Sequence, residues 1–295
     1  MSKIGTTLGF IGLGIMGRPM VERLLAADYK INIWNRNPEK SLPLIEQGAL
    51  ICQNPADVTL KSDVILMCLT NGQAVQKVTL GQHGIVEGGR QGKLVVDFSS
   101  IDVETTQNIA TELSEKCGMN WVDAPVSGGV VGAQKGNLAI LCGGAEKHID
   151  EIRPILVHLA RRVTHMGGCG AGQVTKLCNQ LIVSSNIIAI AEAINLGRRS
   201  GIDVEKLPDA LTGGFADSMP LQIFGRRMVS QSWTTAMGVV STMLKDVENV
   251  AELAENVGLE THVLRAAQFV YQAVAEKGFA DEDLSRVAEF YDNHW

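Results

Sequence analysis

The sequence predicts an α/β fold, a doubly wound parallel sheet followed by an all-helical domain. Three observations predict it. Short apolar runs alternate with helical patterns over the first half of the chain, and a glycine-rich turn joins the first run to the first helix. Beyond residue 167 the helical patterns continue without a further strand pattern. We therefore expect an α/β domain at 1–167 and an all-α domain at 168–295.

The predicted strands are short and apolar, and helical patterns separate them along the α/β domain. Those at 64–69 and 94–98 are almost continuous in apolar residues, as parallel strands covered on both faces should be. The strands are expected at 7–11, 30–34, 49–52, 64–69, 94–98, 121–124, 138–143 and 163–166.

The helical half follows the glycine-rich segment "GGCGAGQ". Its predicted helices lie at 174–199, 203–212, 245–257 and 260–277. The stretch 177–197 is apolar enough to resemble a membrane span, but Asn179, Gln180, Asn186 and Glu192 interrupt it. We expect a buried helix of a chain that does not enter a membrane. Because it is apolar on more faces than one domain covers, a homodimer or homotetramer is expected.

Composition narrows the function classes. The chain has 295 residues, of which 45% are hydrophobic and 20% charged, and its formal net charge is −6. A sizeable core is therefore available, and the basic surface of a nucleic-acid-binding protein is not expected. The six cysteines show no C-x-x-C pair, so we expect buried, reduced thiols and no metal site. A secretory signal is not recognisable, which favours a cytoplasmic location.

The turn "GLGIMG" has the spacing G-x-G-x-x-G, with Gly12, Gly14 and Gly17. It follows a predicted strand and begins a helix, the setting of a dinucleotide-binding turn. The first glycine permits the tight turn, the second lets a pyrophosphate approach, and the third lets the helix pack on the sheet. Leu13, Ile15 and Met16 complete the expected cofactor-binding turn. A closely packed turn without a ligand is the alternative.

The end of the second strand reads "NIWNRN", without the acidic residue that usually binds the ribose of NAD. Asn35 removes a charge that would repel a 2′-phosphate, and Arg36 can bind that phosphate. The sequence therefore favours NADP(H), with NAD(H) as the other possibility. In the alternative interpretation Arg36 is solvated and Asn35 caps a turn before Pro38.

Two later segments carry polar groups that suit a substrate. "DAPVSGG" ends in Ser127, Gly128 and Gly129, whose hydroxyl and backbone N–H groups can hold an oxyanion, although the pattern is also that of an ordinary turn. In "GAGQVTKLCNQ", Lys176, Asn179 and Gln180 fall at i, i+3 and i+4 and so share one helical face. A partly desolvated lysine there can act as a general acid or base, or it can extend to the surface through a cleft.

These four segments, "GFIGLGIMG", "DAPVSGG", "GAGQVTKLCNQ" and "LKD" at 244–246, occur in an order and at spacings that resemble the 3-hydroxyacid dehydrogenase family. That family includes 3-hydroxyisobutyrate dehydrogenase and tartronate semialdehyde reductase (2-hydroxy-3-oxopropionate reductase), and the run from 176 followed by "TGGFADS" is most similar to the latter. The resemblance covers essentially the whole chain. It implies a Rossmann domain and an NAD(P)-dependent oxidoreductase acting on CH–OH groups.

The resemblance also implies roles for residues at matching positions. Lys176 would be the acid/base, and Asn179 would orient the substrate beside it. The substrate would be held by Ser127, Gly128 and Gly129. The cofactor would be lined by Leu69, Thr70, Ser100 and, from the helical domain, Lys245.

The implied reaction is reduction of a small semialdehyde acid, tartronate semialdehyde to glycerate, by hydride transfer with Lys176 as general acid. The alternatives are oxidation of a 3-hydroxy acid of the 3-hydroxyisobutyrate type with NAD, an imine reductase, and a non-catalytic NADPH-binding protein. Two departures from the family pattern stand out: Gln180 where many relatives carry a second asparagine, and "TNGQ" at 70–73 where a proline is common.

Overall fold

The computed structural model describes residues 5–233 and 236–292. The chain divides into two compact units, Met1–Lys176 and Leu177–Trp295. The first unit extends a few residues beyond the boundary expected at 167/168, into the start of a long helix, and that domain boundary stays a prediction.

The first unit is built on one sheet, and each strand expected from the sequence is present in it. One two-residue strand, Val126–Ser127, was not predicted because so short a segment has no periodicity. The strands are β1 (Thr7–Ile11), β2 (Lys30–Trp34), β3 (Leu50–Ile51), β4 (Val64–Met67), β5 (Leu94–Asp97), β6 (Asn120–Asp123), β7 (Val126–Ser127), β8 (Leu138–Gly143) and β9 (Ala160–Gly167).

The sheet order is β3-β2-β1-β4-β5-β6-β8-β7, and β9 pairs with β8. The first six strands pair in parallel, whereas β8 runs antiparallel to both β6 and β7. The expected doubly wound parallel sheet is therefore confirmed, with an antiparallel addition at one side. In the parallel part, the carboxyl ends of β1, β2, β4, β5 and β6 lie along one edge, where open α/β sheets bind ligands.

Helices cover both faces of this sheet. Neighbouring strand residues alternate between two apolar clusters: Phe10 and Leu66 belong to one, Ile11 and Ile65 to the other. This explains the continuous apolar runs in the sequence. The helices of the first unit are α1 (Gly17–Ala26), α2 (Leu42–Ile45), α3 (Pro55–Lys61), α4 (Gly72–Leu80), α5 (Ile85–Gly88), α6 (Val103–Cys117), α7 (Gly129–Lys135) and α8 (Glu146–Leu156), with a 3₁₀ turn at Pro38–Ser41.

Several of these helices begin where their sequences provide a cap. The residue just before each of α3, α4 and α6 caps the helix. Its side chain accepts a hydrogen bond from the backbone N–H of the residue three positions later, at 2.7–2.9 Å. Such a cap satisfies one of the N–H groups that a helix start leaves unpaired. The three capping residues are Asn54, Asn71 and Asp102.

The second unit is helical in its described part, as the sequence predicts, apart from one isolated β-bridge between Val239 and Asp283. Helix α9 (Ala171–Arg199) begins in the first unit and continues into the second. The other helices are α10 (Leu207–Ala210), α11 (Arg226–Ser230), α12 (Val240–Asn256) and α13 (His262–Val274), with 3₁₀ turns at Val204–Lys206 and Leu284–Tyr291 and π turns at Leu221–Gly225 and Ala275–Phe279.

The sequence predicted too long a helix at 203–212 and missed α11. The segment instead forms a 3₁₀ turn followed by the single turn of α10, at whose start Pro208 lies. Proline has no backbone N–H to continue a preceding helix and suits the first turn of a new one. The helix expected at 260–277 ends as regular α-helix at Val274, and Gly278 in the following π turn has a φ of 103°.

Helix α9 is long and apolar enough to cross a membrane by length and composition. Its most apolar 18-residue window has a mean hydropathy of 1.5, and 44% of that window is buried within the protein. Core helices of globular proteins pass the same test, so the finding is weak evidence for a membrane, and the expectation of a non-membrane protein stays a prediction.

Candidate active site

The glycine-rich turn has the geometry that its sequence requires. Gly12 has a φ of 98°, and a Cβ there would overlap the carbonyl oxygen of Cys68. A Cβ at Gly17 would overlap the carbonyl oxygen of Gly12, so the start of α1 packs directly on the turn. A Cβ at Gly14 would meet no atom within 4 Å. The first and third glycines are therefore required by packing, whereas the second borders open space where a pyrophosphate would fit.

The start of α1 is suited to hold phosphate. The N-cap residue Met16 makes no side-chain capping bond, and neighbouring Ile15 is 78% exposed. An uncapped helix start offers N–H groups and the positive end of the helix dipole to an anion. The backbone N–H of Leu13 donates to Asn35 Oδ1 at 2.9 Å, which fastens the turn to the end of β2.

Asn35 and Arg36 lie at the end of β2, where the ribose of a bound dinucleotide would be read. Besides accepting from Leu13, Asn35 donates through Nδ2 to the carbonyl oxygen of Asn37 at 2.8 Å. Asn37, rather than Asn35, caps the following 3₁₀ turn by accepting the N–H of Glu39. Arg36 is exposed. The residues present fit a dinucleotide, and an exposed guanidinium at this position suits a 2′-phosphate.

The expected cofactor residues after β4 and β5 also lie at the carboxyl edge of the sheet. Leu69, Thr70 and Ser100 directly follow these strands and are not fully buried, although Thr70 is more exposed than the other two. The N–H of Leu69 donates to the hydroxyl of Ser99 at 2.9 Å, which joins the two loops. The structure therefore brings both segments to the edge that carries the glycine-rich turn.

The predicted substrate segment turns sharply after β7. Ser127 is half-buried, and the two glycines after it have φ values of 128° and 61°, which other residues rarely adopt. Gly128 precedes α7 and its carbonyl oxygen accepts the N–H of Gly132 at 3.0 Å. The backbone conformation thus explains why glycines occupy 128 and 129.

Asp123 connects this segment to the helix that carries Lys176. It ends β6, four positions before Ser127, and is fully buried. Its carboxylate accepts the N–H of Gly170 at 2.8 Å and that of Gln173 at 3.0 Å. Burial raises the pKa of Asp123, although these backbone donors act in the opposite direction. Asp123 is therefore a hydrogen-bond partner of the turn at the start of α9.

The remaining predicted residues belong to the second unit. Asn179 donates to Gln180 Oε1 at 2.9 Å, and Gln180 Nε2 donates to Asp246 Oδ2 at 2.6 Å. Lys245 Nζ lies 3.1 Å from Asp246 Oδ1. Gln180, where the family pattern has asparagine, is therefore the middle of a buried polar chain that holds the amide of Asn179. The expected roles of Asn179 and Lys245 toward ligands stay predictions.

Sequence reasoning missed two buried polar residues of the first unit. Gln173 lies in the first turn of α9, and Asp97 ends β5 next to Ser99. Burial and, to a smaller extent, the charge of Asp123 raise the pKa of Asp97 to about 7, although the hydrogen bonds from Ser99 act to lower it. The only signal in the sequence was a polar residue at a strand end or in a helix start.

The positions of the histidine, cysteine and acidic side chains bear on the expectation of no metal site. Within residues 5–233 and 236–292, no group of three or more histidine, cysteine or acidic side chains is placed to hold a metal ion. All six cysteines are free, as expected. The expectation that they are buried is wrong for Cys178, which is exposed on α9.

Two family models together cover almost the whole chain. Residues 7–168 match the NAD binding domain of 6-phosphogluconate dehydrogenase. Residues 170–291 match the NAD-binding model of NADP-dependent 3-hydroxyisobutyrate dehydrogenase.

Individual relatives agree with these models. The chain is 33% identical over 282 residues to 2-hydroxy-3-oxopropionate reductase of Escherichia coli (strain K12), with 96% of each chain covered. Its fold matches Mycobacterium tuberculosis 3-hydroxyisobutyrate dehydrogenase with L-serine (TM-score 0.88, 27% identity, 97% and 99% covered). It also matches Psf3 in complex with NADP+ and 2-OPP (TM-score 0.87, 27% identity, 97% and 100% covered). The chain therefore belongs to the 3-hydroxyisobutyrate dehydrogenase-like family of NAD(P)-dependent oxidoreductases, which act on the hydroxyl groups of hydroxy acids.

Proposed function

We propose that this enzyme reduces a small semialdehyde acid, tartronate semialdehyde to glycerate, with NADPH. The observation that carries the proposal is the position of Lys176. It lies three residues after the first turn of α9, which Asp123 holds through hydrogen bonds. Asp123 ends the strand that comes just before Ser127 in the chain. A relative 33% identical over nearly its full length is named for this reduction.

In the proposed reaction the chain binds and orients the substrate and protonates its carbonyl oxygen. Ser127 and the backbone N–H groups of Gly128 and Gly129 hold the substrate carboxylate. The nicotinamide, when bound, supplies the hydride to the aldehyde carbon. Lys176 delivers a proton to the carbonyl oxygen as the C–O π bond breaks, so that the aldehyde becomes a primary alcohol. Such general acid help is typically worth roughly 10²–10⁴-fold in rate.

NADP(H) is the proposed cofactor. Its 2′-phosphate would lie against Arg36, and Asn35 would add no repelling charge. The glycine-rich turn and the start of α1 would hold the pyrophosphate. The NADP+ complex of a structure that this fold matches supports the choice, and NAD(H) remains the competing cofactor.

We also propose a cytoplasmic location.

The test is turnover of tartronate semialdehyde, followed by NADPH absorbance, in the wild-type protein and in Lys176→Ala. We expect the variant to lose roughly 10²–10⁴-fold in kcat, because the proton donor is gone, and to keep its NADPH affinity. Lys135→Ala, which removes an exposed lysine at the end of α7, is the matched control. Activity of Lys176→Ala within about tenfold of wild type would contradict the proposal.

The second candidate is oxidation of a 3-hydroxy acid of the 3-hydroxyisobutyrate type with NAD+. The name of the Mycobacterium tuberculosis enzyme, whose fold this chain shares, favours it. Comparing kcat/KM for the two substrates, each with both cofactors, separates the candidates. A higher value for 3-hydroxyisobutyrate with NAD+ would replace the first proposal by the second.

A further inference from the structure

A buried amide lies one turn before Lys176 in α9. Gln173 is 0% exposed, and its side chain bonds to two backbone groups of the loop after β5. Its Nε2 donates to the carbonyl oxygen of Ser99 at 2.9 Å, and its Oε1 accepts the N–H of Ile101 at 3.3 Å. The amide nitrogen and the amide oxygen of Gln173 therefore both bond to the loop after β5. These bonds hold the first turn of α9 at the carboxyl end of that strand.

Asp123 fastens the same turn from the neighbouring strand. Its two carboxylate oxygens accept the N–H groups of Gly170 and Gln173. Two glycines leave room for it, since a Cβ at Gly143 would lie 2.6 Å from Asp123 Oδ1 and one at Gly172 would lie 2.7 Å from Oδ2. A carboxylate is also favoured at the positive end of a helix. Hydrogen bonds to two neighbouring strand ends therefore hold the first turn of α9.

The loop after β5, to which Gln173 bonds, is held by further hydrogen bonds. Ser99 Oγ accepts the N–H of Leu69, and the N–H of Ser99 donates to Asp97 Oδ1, each at 2.9 Å. A chain of hydrogen bonds thus runs from the end of β4, through the end of β5, to the turn before Lys176. These strand ends are the ones expected to line the cofactor.

We infer that Gln173 and Asp123 are positioning residues that set where α9 presents the ammonium group of Lys176 to the carboxyl edge of the sheet. The inference rests on the proposed role of Lys176 as proton donor. Reacting groups must meet in a near-attack geometry, and a misplacement of about 1 Å can cost roughly 10²-fold in rate. A helix start held by four hydrogen bonds from two strands supplies that geometry without touching substrate.

The test is Gln173→Leu, which keeps the approximate side-chain volume and removes both amide bonds. We expect kcat for tartronate semialdehyde to fall roughly 10²-fold. The Kd for NADPH, measured by fluorescence titration, should stay within about threefold, because Gln173 acts on Lys176 rather than on the cofactor. The matched control is Gln107→Leu, which removes one exposed bond to the carbonyl oxygen of Cys169 and should leave kcat within about twofold.

A double variant separates positioning from general stability. Adding Gln173→Leu to Lys176→Ala should produce no further loss of kcat, because the group being positioned is absent. A purely structural role would give losses that multiply. If Gln173→Leu does not fold, Asp123→Asn carries the same test: it keeps the shape, loses one acceptor, and should lower kcat about tenfold at unchanged NADPH affinity.

Two results would overturn the inference. One is kcat of Gln173→Leu within about threefold of wild type, and the other is a loss of NADPH affinity as large as the loss of kcat. These outcomes are distinguishable from failure of the proposed function, which an active Lys176→Ala would show. If Lys176→Ala is inactive and Gln173→Leu is fully active, only the positioning role of Gln173 is contradicted.

Discussion

Single polar residues at the ends of strands hold the loops at the carboxyl edge of the sheet in the first unit. Asn35 holds the glycine-rich turn through the N–H of Leu13 and leaves the neighbouring Arg36 exposed. Asp123 and Asp97 are buried carboxylates at adjacent strand ends, paired in register between β5 and β6. Both carboxylate oxygens of Asp123 accept hydrogen bonds, whereas Oδ2 of Asp97 has no hydrogen-bond partner.

Arg36→Asp should reverse the cofactor preference. The substitution replaces an attractive charge for a 2′-phosphate by a repelling one, so kcat/KM with NADPH should fall about tenfold or more relative to NADH. Steady-state kinetics with both cofactors measure the ratio. Arg90→Asp, an exposed site away from the glycine-rich turn, is the control. An unchanged ratio in Arg36→Asp would show that Arg36 does not contact the phosphate.

Asp97→Asn should change how stability depends on pH. The pKa of Asp97 is about 7 in the fold against an ordinary value of 3.8, so the folded state keeps a proton that the unfolded state loses. The stabilisation that this proton gives is complete below pH 3.8 and is lost as pH rises through 7. Relative to the variant, the wild-type free energy of unfolding should therefore fall by about 1.4 kcal/mol per pH unit between these values.

Urea unfolding of both proteins at several pH values between 5 and 8 measures this difference. Glu115→Gln, which neutralises an exposed carboxylate on α6, is the control and should follow the wild-type curve. A constant difference between wild type and Asp97→Asn across the range would mean that Asp97 is ionised in the folded state throughout.

Among the elements, the glycine-rich turn combines a structural role with a proposed binding role in six residues. The first and third glycines are enclosed by backbone, and the second faces open space. Helix α9 likewise combines roles, since its first turn is anchored to the sheet and its next residues include Lys176.

Substitutions within the turn should separate these roles. Gly17→Ala places a methyl group against the carbonyl oxygen of Gly12, and such overpacking typically costs about 1–3 kcal/mol. Gly14→Ala meets no protein atom, so the free energy of unfolding should stay within about 1 kcal/mol while NADPH affinity falls at least about tenfold. Thermal unfolding and cofactor titration distinguish the two. Normal NADPH affinity in Gly14→Ala would place the pyrophosphate elsewhere.

For the whole molecule, the exposed surface of α9 bears on the homo-oligomer expected from the sequence. The helix exposes a stripe of apolar or small residues at helical spacing: Cys178, Ile182, Ala189, Ala193 and Leu196. Ile182 is 64% exposed and Leu196 69%. Exposed apolar residues grouped on one face of a helix are typical of an interface.

We expect light scattering to give a mass that is a multiple of 31.7 kDa. The double variant Ile182→Lys and Leu196→Lys should shift it to the 31.7 kDa monomer, because lysines would be desolvated in the interface. Leu60→Lys, at an exposed leucine of α3 in the first unit, is the control. A monomeric wild-type protein would contradict the homo-oligomer expected from the sequence.

The sequence by itself determined the succession of strands and helices, the division into an α/β and a helical part, and the glycine-rich turn. These features are local: strand periodicity, helix starts and positive φ depend on residues close together in the chain. Only the tertiary structure decided which polar residues meet. Gln173 is 74 positions from Ser99 and 50 from Asp123, so their hydrogen bonds exist only because the sheet order brings the ends of β5 and β6 under the start of α9.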